Sequence, residues 1–189
     1  MIETARQKIL LTGLIIDIII IDQLTKWIAM EKFLRPVHDG TSIDILSWFG
    51  RIPEKIPYIE VPLTPFFNIV MVWNKGVSFG LFNGDTGMID TQILIGLALV
   101  ISAGFLVWLW RSNSWLQGIA LALVIGGAIG NVIDRARFGA VADFLDFHIA
   151  GLHWPAFNVA DSAIVIGIGL LIFYSVGLEA NHKKKDDDA

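Results

Sequence analysis

The chain has 189 residues, 54% of them hydrophobic and only 17% charged, with a mean hydropathy of +0.64. That is too apolar for an ordinary soluble domain and points to a membrane protein with room for several spans and one modest extramembrane element. The net charge of −4, with its basic residues scattered, argues against a nucleic-acid partner, and the absence of cysteine excludes a thiol nucleophile, a thiolate metal site and any disulfide.

A spanning helix needs roughly 20 mostly apolar residues. The first such run extends from about Ile9 to Ile28. It is too long for a cleavable signal peptide, holds Asp17 and lacks a small-x-small exit before Glu31, so it reads as a retained span. A long link, 29–87, follows. Pro36, Pro53, Pro57, Pro62 and Pro65 prevent it from forming one long helix. Within it, Ile43, Leu46, Trp48 and Phe49 predict a short amphipathic helix on the membrane interface. Further on, Phe67 to Trp73 and Val77 to Phe82 flank the turn residues Asn74-Lys75-Gly76 and predict a β-hairpin.

The second span runs from about Met88 to Trp110 and the third from about Trp115 to Ile133. A short link holding Asp143 and Asp146 leads to the fourth, Asn158 to Leu178, and the tail 181–189 is a solvated charge run. The expected fold is therefore an all-α membrane protein of one domain, 1–189. Its four transmembrane helices run up and down, with a small extracytoplasmic β-hairpin and a short interfacial helix. Both termini then share a face with Arg6, Lys8, Arg111 and Lys183 to Lys185, which makes that face cytoplasmic.

Ionisable groups inside spans are costly and usually face a partner or a cavity. Here Asp22, Lys26, Asn131, Asp134, Arg135, Asn158 and Asp161 all fall at one end of the spans, and Asp143, Asp146 and Asn74 lie in links on that side. One polar site at the extracytoplasmic boundary accounts for them. Asp22 and Lys26 share a helix face at i,i+4, as do Asn131 and Arg135. The Asp22/Lys26 pair fits either an ion pair locking the bundle or direct substrate contact. Asp17 points elsewhere and is assigned to helix packing or hydration, and Gly126-x-x-x-Gly130 to close approach of two helices.

The four histidines, His38, His148, His153 and His182, have no zinc-ligand spacing, and no metal or other cofactor is expected. Ser78 beside Lys75 lacks a helix to hold a Ser-Lys pair, and no G-x-S-x-G elbow supports a Ser-His-Asp set. Carboxylates remain. Two held close together share a proton, so one activates water while the other polarises a carbonyl and protonates the leaving amine. Composition does not choose among Asp134, Asp143, Asp146 and Asp161.

Five segments in order, Asp22-Gln23-Leu24-Thr25-Lys26, Asn74 to Gly80, Gly126 to Arg135, Val141-Ala142-Asp143-Phe144-Leu145-Asp146-Phe147 and Phe157-Asn158-Val159-Ala160-Asp161-Ser162, resemble the motifs of the lipoprotein signal peptidases, signal peptidase II. The resemblance implies a bacterial inner-membrane aspartic endopeptidase with Asp143 and Asp161 as its catalytic pair. Asp22, Lys26, Asn74, Gly76, Asn131, Arg135 and Asn158 would support the pair or bind substrate, and Asp134 would be structural. The implied partners are membrane lipid and a prolipoprotein bearing a diacylglyceryl cysteine, cut just before that cysteine. Ala142 and Ser78 depart from the usual pattern, and the stretch 29–65 is longer than the resemblance leads one to expect. Two alternatives set against it are a small proton-coupled transporter or channel and a non-catalytic assembly scaffold.

Overall fold

A computed structural model describes residues 2–76 and 87–187. In chain order its elements are α1 (Ile2–Ile28), a π-helical stretch (Ala29–Leu34), α2 (Arg35–His38), α3 (Ile45–Gly50), β1 (Glu60–Thr64), β2 (Phe67–Asn74), α4 (Gly87–Arg111), α5 (Trp115–Phe138), β3 (Val141–Ile149), β4 (Leu152–His153) and α6 (Val159–Asp187). Among the described residues, three stretches are long and apolar enough to cross a membrane, Thr91–Arg111, Trp115–Phe138 and Val159–Gly177. α1 is as long, but Asp17, Asp22 and Lys26 interrupt its apolar run.

α5 lies in the middle of the bundle and packs on α1, α4 and α6. Small residues allow this. A Cβ on Gly126 would come within 2.8 Å of Ile18 and 3.1 Å of the Ile15 carbonyl on α1, and one on Gly127 would collide with the Ala160 carbonyl on α6. The G-x-x-x-G step thus serves two neighbours, since Gly130 is pressed against both Asp22 and Ala160. At the terminal end Lys8 donates to the carbonyls of Leu109 and Ser112, both at 2.5 Å, placing a cation at the C-terminal end of α4.

The link after α1 differs from the expectation that residue 29 ends the first helical run. Helix continues to His38 because Ala29, Met30 and Leu34 bury their side chains and Glu31 pairs with Arg35 at 2.8 Å. Pro36, which has no N–H to bond back into the helix, lies just past the π-helical stretch, where the backbone hydrogen-bond pattern already departs from that of α1. Glu31 also accepts from Ile43 N, and Arg35 donates to the Glu54 carbonyl, so the longer link is folded back onto the core. The predicted amphipathic helix is present as α3. Leu46 and Phe49 are exposed, whereas Trp48 is fully buried beneath the Arg137 guanidinium, 4.0 Å from its ring.

The first strand of the predicted hairpin is present as β2, and its second, 77–82, lies outside the described residues. Among the described residues β2 pairs with β1 on one side and β3 on the other, in an antiparallel sheet of order β1-β2-β3-β4. The stretch around Asp143, expected as a short link, is strand β3 in the interior of that sheet. Its partner lies about 70 residues upstream, and pairing so distant leaves no local mark beyond the β-branched and aromatic composition. A core of Met30, Leu34, Trp48, Met71, Phe138 and Phe144 fills the space under the sheet.

Asp17 is exposed on the outer side of α1, which fits the hydration alternative given for it and not helix packing. α5 runs past the expected end at Ile133 to Phe138, where Gly139, at φ 68°, caps it. That extension holds Asp134 and Arg135 on a rigid helix. α6 likewise extends to Asp187, into the stretch read as a solvated tail.

Candidate active site

The first turn of α6 starts with a reciprocal cap. Asn158 Oδ1 accepts from Asp161 N at 2.9 Å, and Asp161 Oδ2 accepts from Asn158 N at 3.2 Å. The same Asn158 donates from Nδ2 to Asp143 Oδ1 at 2.7 Å. One side chain therefore touches both aspartates, 18 positions apart in sequence, across the seam between α6 and β3. Asn131, on α5, donates to Asp161 Oδ1 at 2.8 Å, and Asn74, at the end of β2, donates to Asp143 Oδ2 at 3.0 Å. Each carboxylate is thus fixed from two sides by amide donors.

Asp143 is nearly inaccessible, whereas Asp161 is partly exposed. Burial first, and the nearby Asp161 charge second, push the Asp143 carboxyl up to about 7, against the hydrogen bonds from Asn74 and Asn158 that favour its ionised form. A carboxyl titrating there is protonated about half the time at neutral pH, with a second carboxyl group nearby.

Gly76 turns at φ 80°, with its N–H on Asn74 Oδ1 at 2.7 Å, so the Asn74 amide is oriented toward Asp143 by its own turn. A Cβ on Gly76 would meet Leu94 and approach Arg135 Nη2 at 3.5 Å. Arg135 bonds the Asn131 carbonyl at 3.5 Å, and its Nε is buried with no hydrogen-bond partner among the described residues. A cation with an unused donor therefore lies next to the pair.

Asp22 and Lys26 take the ion-pair reading. Lys26 Nζ lies 2.7 Å from Asp22 Oδ2 and 2.7 Å from Asp134 Oδ2, and all three side chains are at most 1% exposed, which leaves no surface for direct substrate contact. This triad reaches both halves of the site through the backbone. Asp22 Oδ1 accepts from Ala160 N at 3.0 Å, one residue before Asp161, and Asp134 Oδ2 accepts from Ala142 N at 3.1 Å, one residue before Asp143. Gln23, not singled out from the sequence although it sits between Asp22 and Lys26, donates to Asp134 Oδ1 at 2.8 Å. Among the described residues no group of His, Asp or Glu is arranged to hold a metal ion.

The family described as signal peptidase (SPase) II matches residues 14–177. The lipoprotein signal peptidase of Methylobacterium radiotolerans is 51% identical over 111 residues, 58% of this chain and 64% of that protein, so the match spans just under two thirds of that relative's length. The lipoprotein signal peptidase of Thermodesulfovibrio yellowstonii is 42% identical over 158 residues, covering 82% of this chain and 87% of its own length. A bacterial membrane enzyme solved by the in meso method has the same fold at a TM-score of 0.64 and 25% identity, over 89% of this chain and 88% of that one. With a match running from inside α1 to the end of the apolar part of α6, the chain belongs to the signal peptidase II family.

Proposed function

We propose that the chain is an aspartic endopeptidase that removes the signal peptide from diacylglyceryl-modified prolipoproteins, cutting just before the lipid-bearing cysteine. The observation that supports this reading best is the bridge from Asn158 to both Asp143 and Asp161, with a titration near neutrality at Asp143. Asp161 takes a proton from a water whose oxygen attacks the scissile carbonyl carbon. Asp143 gives its proton to the carbonyl oxygen, forming a gem-diol. The C–N bond then breaks as Asp161 passes the water's proton to the cysteine nitrogen and Asp143 takes back a hydroxyl proton, leaving the carboxylic acid and the free amine. The Arg135 guanidinium lies within electrostatic reach of both aspartates and offsets the charge that develops there, and Asn74, Asn131 and Asn158 hold the pair in register.

α1 acts as a fourth span in this reading. Asp22 and Lys26 do not disqualify it, because they meet Asp134 inside the bundle instead of lipid. Both termini are cytoplasmic, and the sheet and the aspartates face the extracytoplasmic side, at the depth where a lipid-anchored cysteine is held. Single cysteines introduced at Arg51 and Arg111 test the topology in a chain that has none of its own. Only the first is expected to react with an impermeant thiol reagent from outside. The transporter or channel alternative is not favoured, since the family match is to peptidases.

The deciding experiment incubates the purified protein with a diacylglyceryl-modified precursor and follows signal-peptide release. Wild type is expected to cleave, and Asp143→Asn and Asp161→Asn to insert normally and not cleave. Cleavage retained in either variant would exclude this pair. No cleavage by wild type would exclude the function.

A further inference from the structure

A groove of about 330 Å³ lies on the sheet beside the aspartates. Val70 and Val72 form one wall and Trp154 and Pro155 another, while Glu60 and Asp146 supply its charge. Val72 is the cross-strand neighbour of Asp143, so the groove begins at the catalytic end of the sheet. Among its described lining residues none comes from a spanning helix, and none is Lys or Arg.

A bulge brings Asp146 into this groove. The N–H groups of Phe144 and Leu145 both donate to the Phe157 carbonyl, at 3.1 and 2.9 Å, and both side chains pack toward the core under the sheet. Strict alternation would put Asp143 and Asp146 on opposite faces, and the doubled position brings them to one. Asp146, 5% exposed, accepts from Asn68 Nδ2 at 2.8 Å and meets His153 Nδ1 at 2.9 Å. Glu60 accepts from the same Asn68 amide at 3.0 Å and from the Tyr58 hydroxyl at 3.1 Å. A carboxylate offers about four lone-pair sites, so both keep acceptor capacity after these bonds.

We infer that this groove is a substrate subsite, resting on the peptidase reading, that takes the side chain two positions after the lipid-bearing cysteine and selects lysine or arginine there. Its apolar walls suit the aliphatic stem of such a side chain, and its two carboxylates the cationic head. The position follows from distance. Asp146 lies three residues along β3 from Asp143, at most roughly 10 Å at about 3.3 Å per residue because the bulge shortens the strand there, and an extended substrate reaches that far within three residues of the scissile carbonyl. The mature side is the one concerned because the groove is built from the sheet and its loop, whereas the apolar segment of a signal peptide belongs with lipid and spanning helices.

The test uses three diacylglyceryl-modified lipobox peptides carrying Lys, Ala or Glu two positions after the cysteine, with kcat/KM measured for wild type, Glu60→Gln and Glu60→Lys. Wild type is expected to favour Lys over Glu by about tenfold. Glu60→Gln narrows that ratio and Glu60→Lys inverts it. Glu60 is exposed, and a ratio taken within each enzyme cancels any loss of folded protein. Moving the Lys five residues beyond the cysteine is expected to abolish the preference. Equal cleavage of all three peptides by wild type, or an unchanged ratio in Glu60→Lys, would overturn the subsite and leave the peptidase reading standing. No cleavage of any peptide would overturn both.

Discussion

Replacing Lys26 with methionine tests whether the buried triad holds together the two backbone segments that carry the proposed pair, the start of α6 and β3. The side chains are close in volume, so the change removes a charge and two 2.7 Å contacts with little change in packing. Two carboxylates, Asp22 and Asp134, are then left facing each other with no cation and no access to water. Breaking one partner out of a buried ion pair costs about 3–5 kcal/mol, a large share of the roughly 5–15 kcal/mol by which a folded domain is stable. Function suffers separately, because Asp22 and Asp134 hold the amides of Ala160 and Ala142, each adjacent to an aspartate of the proposed pair. A shift of about 1 Å there is expected to lower kcat on the order of 100-fold. Thermal unfolding followed by tryptophan fluorescence, with kcat measured well below the transition, separates the two effects. Neutralising the whole set, as Lys26→Met with Asp22→Asn and Asp134→Asn, should regain much of the lost stability, since no unpaired charge remains. A Lys26→Met protein with wild-type melting temperature and turnover would refute the reasoning.

The remaining predictions concern pH, packing and the folded link. Asp143 holds its proton more tightly in the folded state, at about 7 against an ordinary value of 3.8. Its contribution to stability is therefore fully present below pH 3.8 and lost as pH rises through about 7, and Asp143→Asn should flatten that part of the stability profile. Turnover should fall about tenfold per pH unit above pH 7 as the proton is lost, and a kcat constant to pH 9 would contradict the assigned role. Gly127→Ala pushes a methyl into the Ala160 carbonyl, so it is expected to destabilise by about 1–3 kcal/mol and to lower kcat by displacing the start of α6, both readable from melting and single-turnover rates. Arg137→Ala removes the cation over Trp48 and the bond to its carbonyl at 2.5 Å, and should speed limited proteolysis between residues 39 and 56 severalfold.

Much of the site can be read from sequence because its polar residues stand out against apolar spans. Asn131 on α5, with Asp134 and Arg135 just beyond the end expected for that span, and Asn158 and Asp161 at the start of α6 all lie at the same end of apolar runs, so their convergence follows from chain order and span length. The ion-pair option for Asp22 and Lys26 was visible at i,i+4, but their burial was not, because the third partner, Asp134, lies on another helix. The strand character of β3 could not be recovered from the sequence either, since its ladder is made with residues far upstream.

The sequence by itself determined the spanning helices α4 to α6 and the end of the bundle at which the polar groups gather, both of which rest on local hydrophobicity. The candidate pair Asp143 and Asp161 was chosen among four aspartates only by the resemblance to the family's motifs. Only the tertiary structure decided that Asn158 bridges the pair, that the Lys26 triad holds the backbone beside each aspartate, and that a bulge turns Asp146 into the same groove. Each of these depends on hydrogen bonds between segments distant in the chain, whose geometry is set by packing and not by any local pattern.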